Sequence, residues 1–292
     1  MKILCNFACN FNNDNPSDGF VRALCRFSFF ARRRPLFLLD MISKNDIKFV
    51  HSLELKKKRR EEKAFVAEGP KLVGELIGTF RLRAVYALQQ WIEANEASLN
   101  GVTVKDATQD ELRKISFLET PQEVVAVFEQ PDYDVDARKT IAENLCIALD
   151  GVQNPGNLGT IVRLADWFGI SDVFCSADTA DIFNPKTVQA TMGGMARVRV
   201  HYTSLPELVD SLDNDVPVYG TLLDGGNIYT QDLQQRGLIV MGNEGKGLSE
   251  EMRKRVSHKL YIPNYPEGSE CAESLNVAIA TAVVCAEFRR RG

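Results

Sequence analysis

Histidine and cysteine patterns that carry chemistry are missing from this chain of 292 residues. Its three histidines follow no catalytic or metal-binding spacing, and its seven cysteines form no Cys-x-x-Cys pair. These absences argue against histidine-based acid–base chemistry, a structural zinc site and a disulfide framework. We therefore expect no metal and a reducing, cytoplasmic location.

Long apolar runs and an excess of positive charge are also missing. No run approaches the ~18 apolar residues of a membrane helix, so we predict no membrane span. The net charge of −4 argues against a uniformly basic nucleic-acid binder but leaves room for a local basic patch. The hydrophobic fraction of 45% and the charged fraction of 25% are typical of a globular protein, and the length allows two domains.

Residues 1–40 differ in composition from the rest of the chain. They contain a polar, turn-rich stretch at 10–19 and the basic cluster Arg32-Arg33-Arg34. Asparagines interrupt the apolar core that a signal peptide would need, so secretion is not expected. We predict a disordered or spurious extension before Met41, with an accessory RNA-binding tail as the alternative.

A small α/β domain is predicted over residues 41–129. Ile47, Val50, Leu53 and Leu55 have the spacing of one apolar helix face, and a basic run at 56–60 follows them. Further helices are predicted at 70–77 and 110–115, and strands at 64–67, 81–87, 102–105 and 123–128. Their alternation indicates an α/β fold. Residues 130–140 are polar and are predicted to be a linker.

A second domain is predicted over residues 141–292. Near-continuous apolar strands are predicted at 145–149, 173–175, 197–200, 218–222, 238–241 and 260–262. Helices are predicted between and after them at 157–168, 185–192, 205–212, 249–255 and 274–290. Such alternation predicts a parallel sheet covered on both faces. The last helix is apolar around most of its surface, so we expect it to be buried on more than one side.

Three segments in this second domain place small or amide residues at the ends of apolar runs. They are Asn154-Pro155-Gly156-Asn157-Leu158-Gly159 with Arg163, the run 239–248 around Gly242-Asn243-Glu244-Gly245, and Ile262-Pro263 followed by Ser274-Leu275-Asn276-Val277. In this order they resemble the signature motifs of the SpoU, or TrmH, family of RNA ribose 2′-O-methyltransferases. The basic helix followed by Phe65-Val66-Ala67-Glu68-Gly69 resembles the family's accessory substrate-binding domain, which has a ribosomal-protein-like fold.

The resemblance implies S-adenosylmethionine as the cofactor and a trefoil knot in the C-terminal domain. It also implies homodimers whose active sites combine both chains. Cofactor contacts are implied at Gly242, Ile262 and Leu275, largely through the backbone, with three expected neighbours: Thr221, Leu222 and Asn243. The glycines of this loop are expected to permit a positive φ and close approach of the cofactor.

A catalytic role is implied for Arg163, which in the family contacts the phosphate and ribose of the target nucleotide. Its guanidinium suits phosphate but is a poor proton acceptor, because its pKa exceeds about 12. Four further site residues are implied: Asn157, Glu244, Ser274 and Asn276. Without the resemblance, Arg163 would fit a surface salt bridge and the loop around Glu244 a tight turn. Ser274 or Asn276 would fit an ordinary helix cap.

The basic run contains four candidate RNA contacts, which are Lys56, Lys57, Arg59 and Arg60. A solvated helix face is the alternative, but a concentrated positive stripe on an otherwise acidic chain would attract a phosphate backbone. The predicted function is therefore methylation of a ribose 2′-hydroxyl in structured RNA, with 23S ribosomal RNA expected first and transfer RNA second. An inactive RNA-binding or ribosome-assembly factor is the alternative. The absence of a GxGxxG fingerprint disfavours a dinucleotide-binding oxidoreductase.

Overall fold

The computed structural model of the protein describes residues 40–266 and 274–291. The predictions for residues 1–39, and those that fall on residues 267–273, lie outside these ranges. Within the described ranges, no helix has the length and apolar character needed to cross a membrane. We refer to residues 40–129 as the N-terminal lobe and to the described residues from 137 onwards as the C-terminal lobe.

A mixed five-stranded sheet forms the centre of the N-terminal lobe. Its order is β1-β4-β3-β5-β2, and β5 runs antiparallel to both neighbours. The strands are β1 (Asp40–Met41), β2 (Ala64–Glu68), β3 (Leu82–Ala87), β4 (Thr103–Asp106) and β5 (Val124–Glu129). Side chains of β2 alternate between two apolar clusters, Phe65 and Ala67 on one face and Ala64 and Val66 on the other. The sheet is therefore buried on both faces.

Five helices cover this sheet: α1 (Lys44–Ser52), α2 (Lys56–Glu62), α3 (Pro70–Leu76), α4 (Gln89–Ala94) and α5 (Gln109–Ile115). Ser43 and Asp46 form a capping box at the start of α1, which explains why the helix begins there. The helical pattern that begins at residue 44 is therefore two short helices. Leu55, expected on the apolar face, is exposed because it lies at the N-cap of α2, where the chain turns. Helix α4 is an addition that the sequence did not predict.

A six-stranded parallel sheet forms the centre of the C-terminal lobe, as predicted. Its order is β11-β9-β10-β6-β7-β8. The strands are β6 (Leu145–Asp150), β7 (Asp172–Cys175), β8 (Arg199–Tyr202), β9 (Val218–Asn227), β10 (Gly237–Gly242) and β11 (His258–Tyr261). Strands β6, β7 and β8 form one half of the sheet, and the later strands β9, β10 and β11 form the other half on the opposite side of β6. Adjacent β6 and β10 therefore mark a switch point, where ligands bind at the carboxyl ends of strands.

The helices of this lobe are α6 (Ala137–Glu143), α7 (Pro155–Trp167), α8 (Pro185–Thr191), α9 (Leu205–Asp210), α10 (Glu250–Arg253) and α11 (Val277–Arg290). Most boundaries differ from the sequence predictions by one to three residues, and three differences have a clear structural cause. Helix α6 occupies the end of the predicted polar linker, with Asp136 as its N-cap. Strand β8 begins two residues later than expected, because a 3₁₀ turn occupies Gly194–Ala196. Strand β9 continues five residues further, where it pairs with β11 across a bulge.

One apolar core connects the two lobes. Phe65 of β2 packs against Phe128 of β5, with ring centroids 5.5 Å apart, and against Phe183 before α8, at 5.0 Å. Beside these rings, the Arg59 guanidinium donates to Oδ2 of Asp181 at 2.6 Å. Apolar stacking and a buried ion pair therefore fix the N-terminal lobe against α8, which itself packs on α7.

Candidate active site

A cavity of about 540 Å³ lies at the carboxyl ends of β9 and β10, beside the end of β11. The beginning of α11 completes its described wall. All six residues predicted to bind the cofactor line it: Thr221, Leu222, Gly242, Asn243, Ile262 and Leu275. Glu244 and Ser274, predicted to be catalytic, line it too. The structure thus brings the second and third motifs to one place.

The loop from Asn243 to Gly247 forms one wall of the cavity and is closed by its own backbone. Asn243 and Gly247 exchange two backbone hydrogen bonds of 2.9 Å. The side-chain Oδ1 of Asn243 accepts from the backbone N–H groups of Gly245 and Lys246, and its Nδ2 donates to Gly151 O at 2.7 Å. The Asn243 amide therefore holds the loop and ties it to the end of β6.

Gly242 is required at this loop for a reason that differs from the prediction. A Cβ atom at residue 242 would meet the backbone of Gly247 and would lie 2.5 Å from Leu248 N. The added group would point into the loop's own backbone and not into the cavity. The positive φ belongs to Gly247, at 68°, whereas Gly245 has neither a positive φ nor a close neighbour. Of the glycines in the run 239–248, only Gly247 therefore uses the positive φ that the sequence led us to expect in this loop.

A chain of hydrogen bonds joins one residue from each of the three motifs. Nδ2 of Asn157 donates to Oε1 of Glu244 at 2.9 Å, and Nδ2 of Asn276 donates to Oδ1 of Asn157 at 3.1 Å. Asn157 and Glu244 are 87 positions apart in sequence, and Asn157 and Asn276 are 119 positions apart. This Glu244–Asn157–Asn276 chain places three predicted catalytic residues side by side, and one of them, Glu244, lines the cavity.

Two helix starts position this chain. Asn154 is the N-cap of α7, and its Oδ1 accepts from the backbone N–H of Asn157 at 3.2 Å. Asn276 is the N-cap of α11, and its Oδ1 accepts from Ala278 and Ile279. Asn276 is therefore a helix cap, as the alternative interpretation predicted, and it also donates to Asn157. One amide serves both the fold and the site, because its two ends bond in different directions.

Arg163 lies on α7, six residues beyond Asn157, which is about 9 Å along the helix axis. Its side chain is exposed and makes no hydrogen bond or ion pair with any described residue. The alternative prediction, a surface salt bridge made by Arg163, therefore finds no support among the described residues. Arg163 is also not among the described residues that line the cavity. The structure thus leaves its guanidinium available beside the site.

The basic run on α2 is not a uniform exposed stripe. Lys57 and Arg60 are exposed, and Lys56 lies over the ring of Tyr202 at 5.9 Å. Arg59, in contrast, is 1% exposed and donates to Asp181 and to the backbone carbonyls of Leu53 and Glu54. The prediction that Arg59 contacts RNA is therefore wrong, because its buried guanidinium is already bonded to Asp181 of the C-terminal lobe and to two carbonyls of its own lobe.

Two family profiles match the chain. One, described as the SpoU rRNA Methylase family, matches residues 144–286, and another, described as an MRM3-like substrate binding domain, matches residues 44–126. The 23S rRNA (guanosine(2553)-2′-O)-methyltransferase RlmP of Bacillus subtilis (strain 168) is 30% identical over 253 residues, which cover 86% of this chain and 98% of the relative. The chain belongs to the SpoU family.

Solved structures agree with this membership. A TrmH-family structure from Porphyromonas gingivalis has 40% sequence identity and a TM-score of 0.77, and covers 87% of this chain and 100% of its own. The AdoMet-bound rRNA methyltransferase of Sinorhizobium meliloti has 30% identity and a TM-score of 0.75, and covers 86% of this chain and 97% of its own. The predicted family, and the α/β fold with a substrate-binding domain before the methyltransferase domain, are confirmed.

The cavity suits S-adenosylmethionine in size and in the chemistry of its wall. Its volume lies within the range of about 300–1,000 Å³ that is usual for sites of small molecules. Apolar side chains such as Leu222 and Ile262 can cover an adenine, and the wall also carries the Glu244 carboxylate. A carboxylate suits the positive charge of a sulfonium. These residues fit the cofactor.

Several described residues of the cavity wall were not predicted from the sequence. They include Leu223, Lys246, Arg253, Tyr261 and Asn264. Leu223, Lys246 and Asn264 each directly follow a residue that was predicted or quoted in a motif. Their position in the sequence beside the motifs could therefore have identified them. Arg253 gave no such signal, because its place depends on α10 folding back until its guanidinium reaches Asp224 at 2.8 Å.

Proposed function

We propose that this chain methylates a ribose 2′-hydroxyl in structured RNA with S-adenosylmethionine as donor. The observation that carries the proposal is the Glu244–Asn157–Asn276 chain, which reaches the cavity wall at Glu244. It joins three segments that are distant in sequence, beside a space that fits the donor. We expect 23S ribosomal RNA as the substrate first, since the Bacillus subtilis relative is named for that RNA. Transfer RNA is the second candidate.

For the cofactor, we propose contacts from the six residues of the cavity wall that the sequence indicated. Gly242, Ile262 and Leu275 would contribute largely backbone groups, and Thr221 and Leu222 would cover the other side. Asn243 would act mainly by holding its loop, since both ends of its amide already bond to backbone. When bound, the cofactor supplies a methyl group on a sulfonium, which is already a reactive donor.

For the reaction, we propose that the chain's residues act chiefly by positioning. The guanidinium of Arg163, which bonds to no described residue, would bind the phosphate next to the target ribose, since its planar fork matches two phosphate oxygens. Asn157, Ser274 and Asn276 would orient the ribose at the cavity mouth. Among the described lining residues Glu244 carries the one carboxylate. It is therefore our candidate to take the proton of the 2′-hydroxyl.

The role of Arg163 is tested by two substitutions. Arg163→Ala should lower methyl transfer by about two orders of magnitude, because a misplaced acceptor loses most of the benefit of positioning. S-adenosylhomocysteine affinity should stay unchanged, since Arg163 is outside the described cavity wall. Arg163→Lys should rescue little. Near-wild-type transfer by Arg163→Ala would remove this assignment.

The substrate is tested by mapping ribose methylations in RNA from cells with and without the gene. We expect one 2′-O-methyl group to disappear from 23S ribosomal RNA. Loss from a transfer RNA instead would select the second candidate. If no methylation changed while the purified chain still bound RNA, the alternative of an inactive RNA-binding factor would replace this proposal.

We also propose a homodimer, supported by apolar side chains on the C-terminal lobe that face solvent. Trp167 at the end of α7 is 83% exposed and Ile279 of α11 is 55% exposed. A second copy would cover such a surface. The trefoil knot stays a proposal as well, supported by the contacts of α11 with α7 and of Arg291 with the turn at 228–230.

We keep the cytoplasm as the proposed location. Cys146, Cys175 and Cys285, the described cysteines, are buried free thiols. Burial raises the pKa of the Cys146 thiol to about 12, so it is held in the unreactive protonated form.

A further inference from the structure

Arg197, which no motif includes, lies between the substrate-binding lobe and the helix that carries Arg163. Its Nε and Nη2 donate to the two carboxylate oxygens of Asp166 at 2.7 and 2.9 Å. Its Nη1 donates to Oε2 of Glu75 on α3 at 2.8 Å. A single guanidinium thus pairs with one carboxylate from each lobe.

The turn before Arg197 fits closely between these two helices. A Cβ atom at Gly194 would lie 3.2 Å from the Cα of Arg163 and 3.4 Å from the Cβ of Asp166. A Cβ atom at Gly193 would lie 2.9 Å from the Cβ of Glu75. The two glycines therefore let this turn lie directly against α7 at Arg163 on one side and against α3 on the other.

The position of Asp166 on α7 makes it a potential ion-pair partner of Arg163. Asp166 is three residues after Arg163, and side chains three apart on a helix are neighbours that readily pair. A guanidinium captured by an aspartate would have its charge neutralised and its fork occupied. It could then no longer bind a phosphate bidentately. In the structure both oxygens of Asp166 are taken by Arg197, and Arg163 is free of described partners.

We propose that Arg197 is a positioning residue that keeps Arg163 available for RNA phosphate by occupying Asp166. The inference rests on the proposed function of Arg163. Docking of the substrate-binding lobe through Glu75 helps to hold Arg197 in the place where it occupies Asp166.

The test compares Arg197→Gln with Arg197→Gln/Asp166→Asn in the full chain. Arg197→Gln should lower kcat/KM for RNA by roughly 10- to 100-fold, mainly through KM, because Asp166 then captures Arg163. The slope of log affinity against log salt should become shallower by about one phosphate contact. The added Asp166→Asn should restore kcat/KM to within about fivefold of wild type, although the ion pair remains broken.

Two controls separate positioning from simple structural support. Asp166→Asn alone breaks the same ion pair but leaves no carboxylate to capture Arg163, so its activity should stay close to wild type. Arg197→Gln/Glu75→Gln keeps Asp166 and should stay as impaired as Arg197→Gln. Melting temperature and S-adenosylhomocysteine affinity, measured for every variant, report the folded fraction and the cofactor site.

Three results would overturn the inference. If Asp166→Asn failed to rescue Arg197→Gln in folded protein, Arg197 would be a structural link only. If Arg197→Gln had normal kinetics while Arg163→Ala was inactive, the inference would fail and the proposed function would stand. Normal transfer by Arg163→Ala would instead remove the role of Arg163, and the role of Arg197 with it.

Discussion

Three asparagine side chains at the site use both ends of their amides. Asn243 accepts from its own loop and donates to Gly151, while Asn157 donates to Glu244 and accepts from Asn276. Asn276 caps α11 with its oxygen and donates with its nitrogen. An aspartate could replace only the accepting half of each amide. Capping and active-site bonding can therefore be separated experimentally.

Asn276→Asp should retain the helix cap and lose the donor to Asn157. We expect a melting temperature near that of wild type and a large loss of methyl transfer. Asn276→Ala, which loses both functions, should also destabilise the fold by about 1 kcal/mol. Thermal unfolding and single-turnover transfer would measure the two effects. Full activity of Asn276→Asp would show that the bond to Asn157 has no part in the reaction.

Gly242 and Gly245 form a matched pair for the cofactor loop. Gly242→Ala should displace the loop, because its methyl group would meet the backbone of Gly247 and Leu248, and should destabilise the protein by about 1–3 kcal/mol. S-adenosylhomocysteine binding should be lost with it. Gly245→Ala, with only Asn243 Oδ1 at 3.7 Å, should bind normally in calorimetry. Equal affinities in both variants would contradict this account of the loop.

At the scale of elements, the strands were easier to predict than the places where the chain changes direction. Apolar runs identified β6 and β10 because central parallel strands are buried on both faces. Helices α4 and α6 were missed, since each is six or seven residues long and shows little periodicity. The shift of β8 depends on the turn at Gly193 and Gly194, which is shaped by packing on α7 and α3.

Helix α2 combines two roles that a single set of substitutions would confuse. The variant with Lys56, Lys57 and Arg60 changed to glutamine should weaken RNA binding and make its salt dependence shallower. Arg59→Gln should instead destabilise the protein by about 3 kcal/mol, because it leaves Asp181 without its buried partner. RNA-binding titrations at several salt concentrations and thermal melts would show this division. An unchanged salt slope in the triple variant would mean that these side chains only face solvent.

At the scale of the whole molecule, the contact between the lobes was the feature that the sequence could not predict. Arg59 and Asp181 are 122 residues apart, and nothing in the basic run distinguishes Arg59 from its exposed neighbours. The location of the site was easier to predict from the signature motifs, since their small and amide residues meet at one edge of the sheet. Even there, no sequence pattern indicated that Asn157 would bond to both Glu244 and Asn276.

The proposed dimer is also a property of the whole molecule. Light scattering should give twice the mass of one chain, and Trp167→Glu/Ile279→Lys should give a monomer with reduced transfer. Leu55→Lys is the matched control, because Leu55 is equally apolar and exposed but belongs to the N-terminal lobe. A wild-type monomer that transfers methyl groups at full rate would contradict the dimer.

The central claim is that this chain places a methyl group on a ribose oxygen of RNA. It is tested most directly by incubating the purified protein with 23S ribosomal RNA and methyl-labelled S-adenosylmethionine, followed by nucleoside analysis. We predict label in a single 2′-O-methylated nucleoside with the wild-type chain, and labelling slowed by about two orders of magnitude with Arg163→Ala at equal S-adenosylhomocysteine affinity. Label on a base, or no label in any RNA offered to a folded protein that binds the cofactor, would contradict the account.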